Sequence, residues 1–120
     1  MKWATSISEA GNTAAAIADV RHAVEQALGE VPDLLIVFAS PHHNAEIGAA
    51  IAGWRGTDLA REMRVIGCSA LGVIGEGHEV EQRRCLAVAA ATLPGVAIEV
   101  TAIDAEPAAM TDWLDAQNAR

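Results

Sequence analysis

Leu34 to Ala39 reads LLIVFA, an unbroken apolar run bounded by Pro32 on one side and by Ser40 and Pro41 on the other. A strand with one wet face alternates apolar and polar residues, whereas a strand covered on both faces has no reason to, so LLIVFA is the signature of a central, parallel strand. Parallel neighbours need helical crossovers, and the flanking sequence supplies them. Downstream, Ile47, Ile51 and Trp54 recur at spacings of three and four and mark one helical face, interrupted by Gly53 and Gly56; Thr57 is placed to cap a short extra turn with Leu59 and Met63. Arg64 to Ala70 (RVIGCSA) then reads as the next strand. Upstream, Ile17, Val20, Val24 and Leu28 fall on one face of a helix that Asn12 or Thr13 caps and Gly29 stops, and Lys2 to Ser8 (KWATSIS) alternates as a half-buried strand does.

Strand, helix, strand, helix, strand is the pattern of an α/β fold. Beyond Ala70 the pattern changes. Gly72, Gly75 and Gly77 open a loop with a charged stretch from Glu76 to Arg84, and Cys85 to Leu93 is apolar enough for another strand. Pro94 and Gly95 signal a turn, after which Val96, Ile98 and Val100 alternate with Ala97, Glu99 and Thr101. The expected architecture is a mixed sheet in which a parallel β-α-β-α-β unit leads into an antiparallel hairpin, with the helices packed on the sheet. Residues 1–106 are expected to form this domain and 107–120 to begin a C-terminal helix or linker carrying Met110, Trp113 and Leu114.

A chain of 120 residues that is 52% hydrophobic and 20% charged has enough apolar surface to form one core without disulfides or a structural metal. The net charge of −8, with Lys2 as the only lysine, leaves no basic stripe to neutralise phosphates, which argues against nucleic acid and anionic membranes as partners. No run of about eighteen apolar residues exists to span a bilayer, and the first residues lack a basic segment followed by an apolar one, so neither an anchor nor a secretory signal is expected. A cytoplasmic protein is expected, with Cys68 and Cys85 as thiols.

The densest chemistry lies in GCSALGVIGEGHEVE, Gly67 to Glu81, directly after a predicted strand, where ligands of parallel sheets bind. Glycines there let backbone N–H groups reach a ligand. The segment fails as a phosphate loop for want of the Lys and Ser/Thr, as a nucleophile elbow because Gly72 comes one residue late, and as a dinucleotide fingerprint because no helix follows. Cys68 would be a nucleophile only beside a base such as His42, His43 or His78; a thiol at the end of a strand is the plainer reading. His42, His43, His78, Glu79 and Cys68 are metal-ligand types at a spacing that matches no common site. Neither metal nor cofactor is expected. Trp3, Trp54 and Trp113 read as core or interface residues.

Taken in order, KWATSIS, PDLLIVFASPHH (32–43), RVIGCSALGVIGEGHEVE (64–81) and CLAVAAATLPGV (85–96) resemble the successive blocks of the N-terminal half of the FIST domain, a sensory input module of intracellular signal-transduction proteins. The resemblance spans Lys2 to Ile103. It implies a small-ligand sensor, for amino acids or their derivatives, with no established catalysis. By motif match the ligand-binding positions would be Phe38, Ser40, Pro41 and His42 after the second strand, Gly67, Cys68, Ser69, Gly72 and Gly75 in the glycine segment, and Glu79 beyond it. The family's module runs on past this length, so a truncated chain or a short relative is expected, with a signalling partner or the missing C-terminal half beside it and an oligomer compatible with the sequence. Two other readings stand beside the sensor: a thiol-dependent hydrolase or transferase using Cys68 with a histidine, and a protein-interaction module with Trp113 and Leu114 in its surface.

Overall fold

A computed structural model describes residues 1–56, 63–102 and 107–119. Along the chain run β1 (Lys2–Ser8), α1 (Thr13–Leu28), β2 (Leu34–Ala39), a single 3-10 turn (Pro41–His43), α2 (Ile47–Arg55), β3 (Arg64–Ser69), β4 (Gly72–Gly75), β5 (His78–Glu81), β6 (Leu86–Thr92) and α3 (Pro107–Asn118). Strands order as β1-β6-β2-β3 in the main sheet, and β4 and β5 form a separate two-stranded one.

The local signals for α1 act as read. Asn12 is extended and its side-chain oxygen accepts from the Ala15 N–H at 2.8 Å, satisfying one of the free donors of the first turn. At the other end Gly29 takes φ +79°, a conformation that costs a side chain energy, and its N–H bonds back to the Glu25 carbonyl. Ala16, Ile17, Val20, Val24 and Leu28 form the buried stripe, packed on Leu35, Val37 and Ala39 of β2 and on Leu86, Val88 and Ala90 of β6. The Glu25 carboxylate accepts from Arg21 Nε at 3.2 Å and from the indole N–H of buried Trp54 at 3.1 Å, which fastens α2 to α1.

The sheet is mixed, as expected, but its order carries a surprise. β2 and β3 pair in parallel, with Val37 opposite Gly67 and Ala39 opposite Ser69. β1, β2 and β3 all run in one direction, and β6 is inserted between β1 and β2, antiparallel to both. This corrects the placement of the hairpin. The strand read over Cys85 to Leu93 exists, but Val96 to Val100 forms no strand, because both edges of β6 are already occupied and a hairpin partner has nowhere to pair. The antiparallel hairpin lies instead between β4 and β5, within the glycine-rich stretch. Glu76 and Gly77 both take positive φ (50° and 79°), the two-residue turn that matches the twist of the flanking strands.

Val73 and Val80 turn inward from this hairpin onto Cys85, Ala87 and Ile7, forming a second, smaller core on the face of the sheet opposite the helices. Gly75 permits that contact, since a Cβ there would lie 2.8 Å from Ile7 Cδ1. The hairpin covers only one end of the face. Phe38 of β2, Ile66 of β3 and Trp3 of β1 remain open to solvent. Among the described residues no helix is long and apolar enough to cross a membrane. The expected extra turn at Thr57 and Leu59 lies outside the described residues.

Candidate functional site

The site is a cavity of about 340 Å³ between α2 and the sheet at the β3 edge. Val37 and Ala39 of β2 form its floor, Ile47, Gly48 and Ile51 of α2 its roof, and Asn44 lies at its rim. Among the described residues its remaining wall is β3 itself, every residue from Val65 to Ser69. Successive side chains of a strand point to opposite faces, so five consecutive residues can line one cavity only if the backbone edge of the strand is part of the wall. Its volume falls in the range of small-molecule sites, roughly 300–1,000 Å³. Among the described residues, Cys68 is the one lining residue with an ionisable side chain.

The local sequence explains the opening. Gly48 leaves the roof without a side chain where a Cβ would meet nothing within 4 Å. Gly67 lets β3 approach β2, since a Cβ there would run into the Val37 carbonyl oxygen. The floor sits at the C-terminal half of β2, which pairs in parallel with β3, and open α/β sheets bind ligands toward that end of their strands.

Of the residues singled out from sequence, Gly67, Cys68 and Ser69 line the cavity. The others are elsewhere. Phe38 follows Val37 on β2 and so faces the open side of the sheet. Ser40 is buried and structural: its N–H donates to the Cys85 carbonyl at 2.9 Å, its Oγ accepts from the Cys85 N–H at 3.1 Å, and His42 Nδ1 pairs with that same Oγ at 3.0 Å. Together these bonds clip the end of β2 to the start of β6. Gly72 and Gly75 belong to β4. Glu79 and Glu81 share the outward side of β5, where the Glu81 hydrogen bond and negative charge push the Glu79 carboxyl up from its ordinary value.

Neither described histidine near the loop supports a thiolate mechanism. His42 bonds Ser40, and His43 is fully buried with Nδ1 2.7 Å from Thr13 Oγ1 at the start of α1. His43 Nε2 is buried with no hydrogen-bond partner. Burial pushes the His43 imidazolium down from its ordinary pKa, the positive charges of Arg84 and His42 push the same way, and Glu46 opposes them. Cys85 is buried too, and its thiol is pushed up chiefly by that burial. The side chain of His78 lies outside the described residues. Among the described residues no three His, Cys, Asp or Glu side chains gather as metal ligands do.

Sequence reasoning missed Asn44 and Gly48 as cavity residues and His43 as the anchor of the loop. Ile47 and Ile51 were visible as an apolar helix face, but nothing local told that this face leaves a gap over β3.

Against known proteins, the FIST N domain family matches residues 33–119, which includes all of the cavity's lining. Searches of curated proteins and of solved structures gave no match.

Proposed function

The chain belongs to the FIST N domain family, a sensory domain of signal-transduction proteins, and on that premise we propose that it senses a small molecule held in the cavity between β3 and α2. The observation that carries this reading is the cavity's position: it lies along β3 and over the C-terminal half of its parallel partner β2, roofed by a helix that packs on the core through Ile47, Ala50, Ile51 and Trp54. A ligand there would contact α2 and the β2–β3 pair at once, so binding would couple directly to the placement of α2. That placement is the signal a downstream partner would read. Amino-acid derivatives are the ligand class proposed, with Ser69, Asn44 and the backbone at Gly67 as polar contacts and no catalytic step.

The test is a thermal-shift screen of neutral and charged amino-acid derivatives against the wild type and Gly48→Leu. A ligand that binds only the folded state raises the melting temperature by mass action. Replacing Gly48 fills the cavity from a helical position with free space around it and better helix propensity, so the variant should fold and lose the shift. A shift that survives Gly48→Leu would place the ligand elsewhere.

A second reading, a protein-interaction module, is favoured by the open sheet face, where Trp3 is 52%, Phe38 41% and Ile66 46% exposed. Sedimentation of wild type and Phe38→Ser would separate it from sensing: self-association through this face should vanish in the variant while ligand shifts persist.

A further inference from the structure

We infer that the cavity takes its ligand as an added strand residue: a capped, uncharged peptide unit with an aliphatic side chain, paired antiparallel with Gly67. This rests on the sensory reading above and names the chemistry of the molecule sensed.

The inference begins at the edge of β3. The Arg64 N–H donates to Asp33 O and the Ala70 N–H to Ala39 O, so the even-numbered residues of β3 direct their backbone groups at β2. Backbone groups alternate along a strand as side chains do, which turns the N–H and C=O of Val65, Gly67 and Ser69 to the other edge. Among the described residues no strand pairs with that edge. An open row of donors and acceptors is a template for another extended chain.

Side-chain direction then selects the register. Val65, Gly67 and Ser69 lie opposite Leu35, Val37 and Ala39, the β2 residues that face the helices, so this same set faces the cavity. In an antiparallel hydrogen-bonded pair two opposed residues exchange both N–H···O bonds and present their side chains on the same face. A ligand residue opposite Gly67 would therefore donate its N–H to Gly67 O, accept from the Gly67 N–H, and send its side chain under Ile47 and Ile51. Opposite Ile66 or Cys68 the ligand would meet no free backbone group.

Charge disfavours the free amino acid. An ammonium and a carboxylate flanking Gly67 would lose part of their hydration against Val65, Ile47 and Ile51, where among the described residues the lining offers no counter-ion, and the chain's net charge of −8 further opposes a carboxylate. Amides on both sides of the residue carry the same donor and acceptor with no charge to desolvate. Apolar walls then select an aliphatic side chain.

The experiment titrates the wild-type chain by calorimetry with N-acetyl-leucine N-methylamide, free leucine, and the capped compound N-methylated on the leucine nitrogen, each repeated on Gly48→Leu. The capped leucine is expected to bind at least tenfold more tightly than free leucine, to lose at least tenfold on N-methylation because its donor to Gly67 O is gone, and to show no heat with Gly48→Leu. Free leucine binding as well as the capped form, or N-methylation without effect, would overturn the strand-pairing inference while a Gly48→Leu-sensitive signal still upheld sensing in the cavity. No heat from any of the three, with Gly48→Leu-sensitive thermal shifts from other compounds, would overturn the ligand class alone. Absence of both would overturn the cavity reading with it.

Discussion

β6 and β3 lie in one sheet with only β2 between them, and they have opposite fates. β6 (LAVAAAT) is paired on both edges and buried along nearly its whole length, with alanines that let α1 approach from one side and the hairpin from the other. β3 (RVIGCS) is paired on one edge among the described residues, and from Ile66 to Ser69 every residue is exposed. Small residues serve both strands, but to different ends. In β6 they bring neighbours closer, and in β3 Gly67 draws the strand against β2 while its outer edge stays open. Buried packing is concentrated in the first, and the proposed binding edge belongs to the second.

The largest effect should come from emptying the centre. Leu86→Ala at a fully buried position of β6 is expected to cost about 2–5 kcal/mol, measured by denaturant unfolding. A change within about 0.5 kcal/mol would mean that β6 is not the core strand. Next, Gly67→Ala forces a methyl against the Val37 carbonyl and should cost roughly 1–3 kcal/mol while loosening the β2–β3 pair. This variant sharpens the contrast, because it shows β3 to be constrained on one edge only.

The loop after β2, the strand between them, should add a pH term. His43 is held neutral by burial, so its folded-state pKa lies below that of the unfolded chain and the unfolded chain takes up the proton first. Its contribution is complete above the ordinary value of 6.5 and is lost as pH falls through and below it. One proton limits the slope to about 1.4 kcal/mol per pH unit. Unfolding curves at descending pH should show the wild type losing stability relative to His43→Gln, and parallel curves would remove His43 from the account. The smallest effect is expected at the open face, where Ile66→Ser should change stability by no more than about 0.5 kcal/mol in the same assay.

How much of this was legible in sequence follows the range of the forces involved. α1 was readable because Asn12 and Gly29 act on their own backbone neighbours, and β2 because double-sided burial leaves LLIVFA without polar interruptions. The turn that makes the β4–β5 hairpin was hidden by Glu76, an unusual residue at positive φ. Strand order was beyond local reading. Val96 to Val100 has the alternation of a strand, and only the insertion of β6 between β1 and β2 denies it a partner. The candidate site divides the same way: Gly67, Cys68 and Ser69 stood out as a glycine-containing strand end, whereas Asn44 and Gly48 join them only because α2 folds over β3. His42 and His43 are adjacent and chemically identical, and only tertiary packing turns one onto Ser40 and buries the other against Thr13.

The central claim is that the free edge of β3 at the cavity is where this domain binds. Residue-resolved amide hydrogen exchange, with and without N-acetyl-leucine N-methylamide, tests it directly. Without ligand, Ile66 and Cys68, bonded to β2, should exchange slowly and Gly67 fast; with ligand, Gly67 should become protected while the β6 amides stay as slow as before. Gly67 exchanging equally fast in both, with new protection in another part of the molecule, would contradict it.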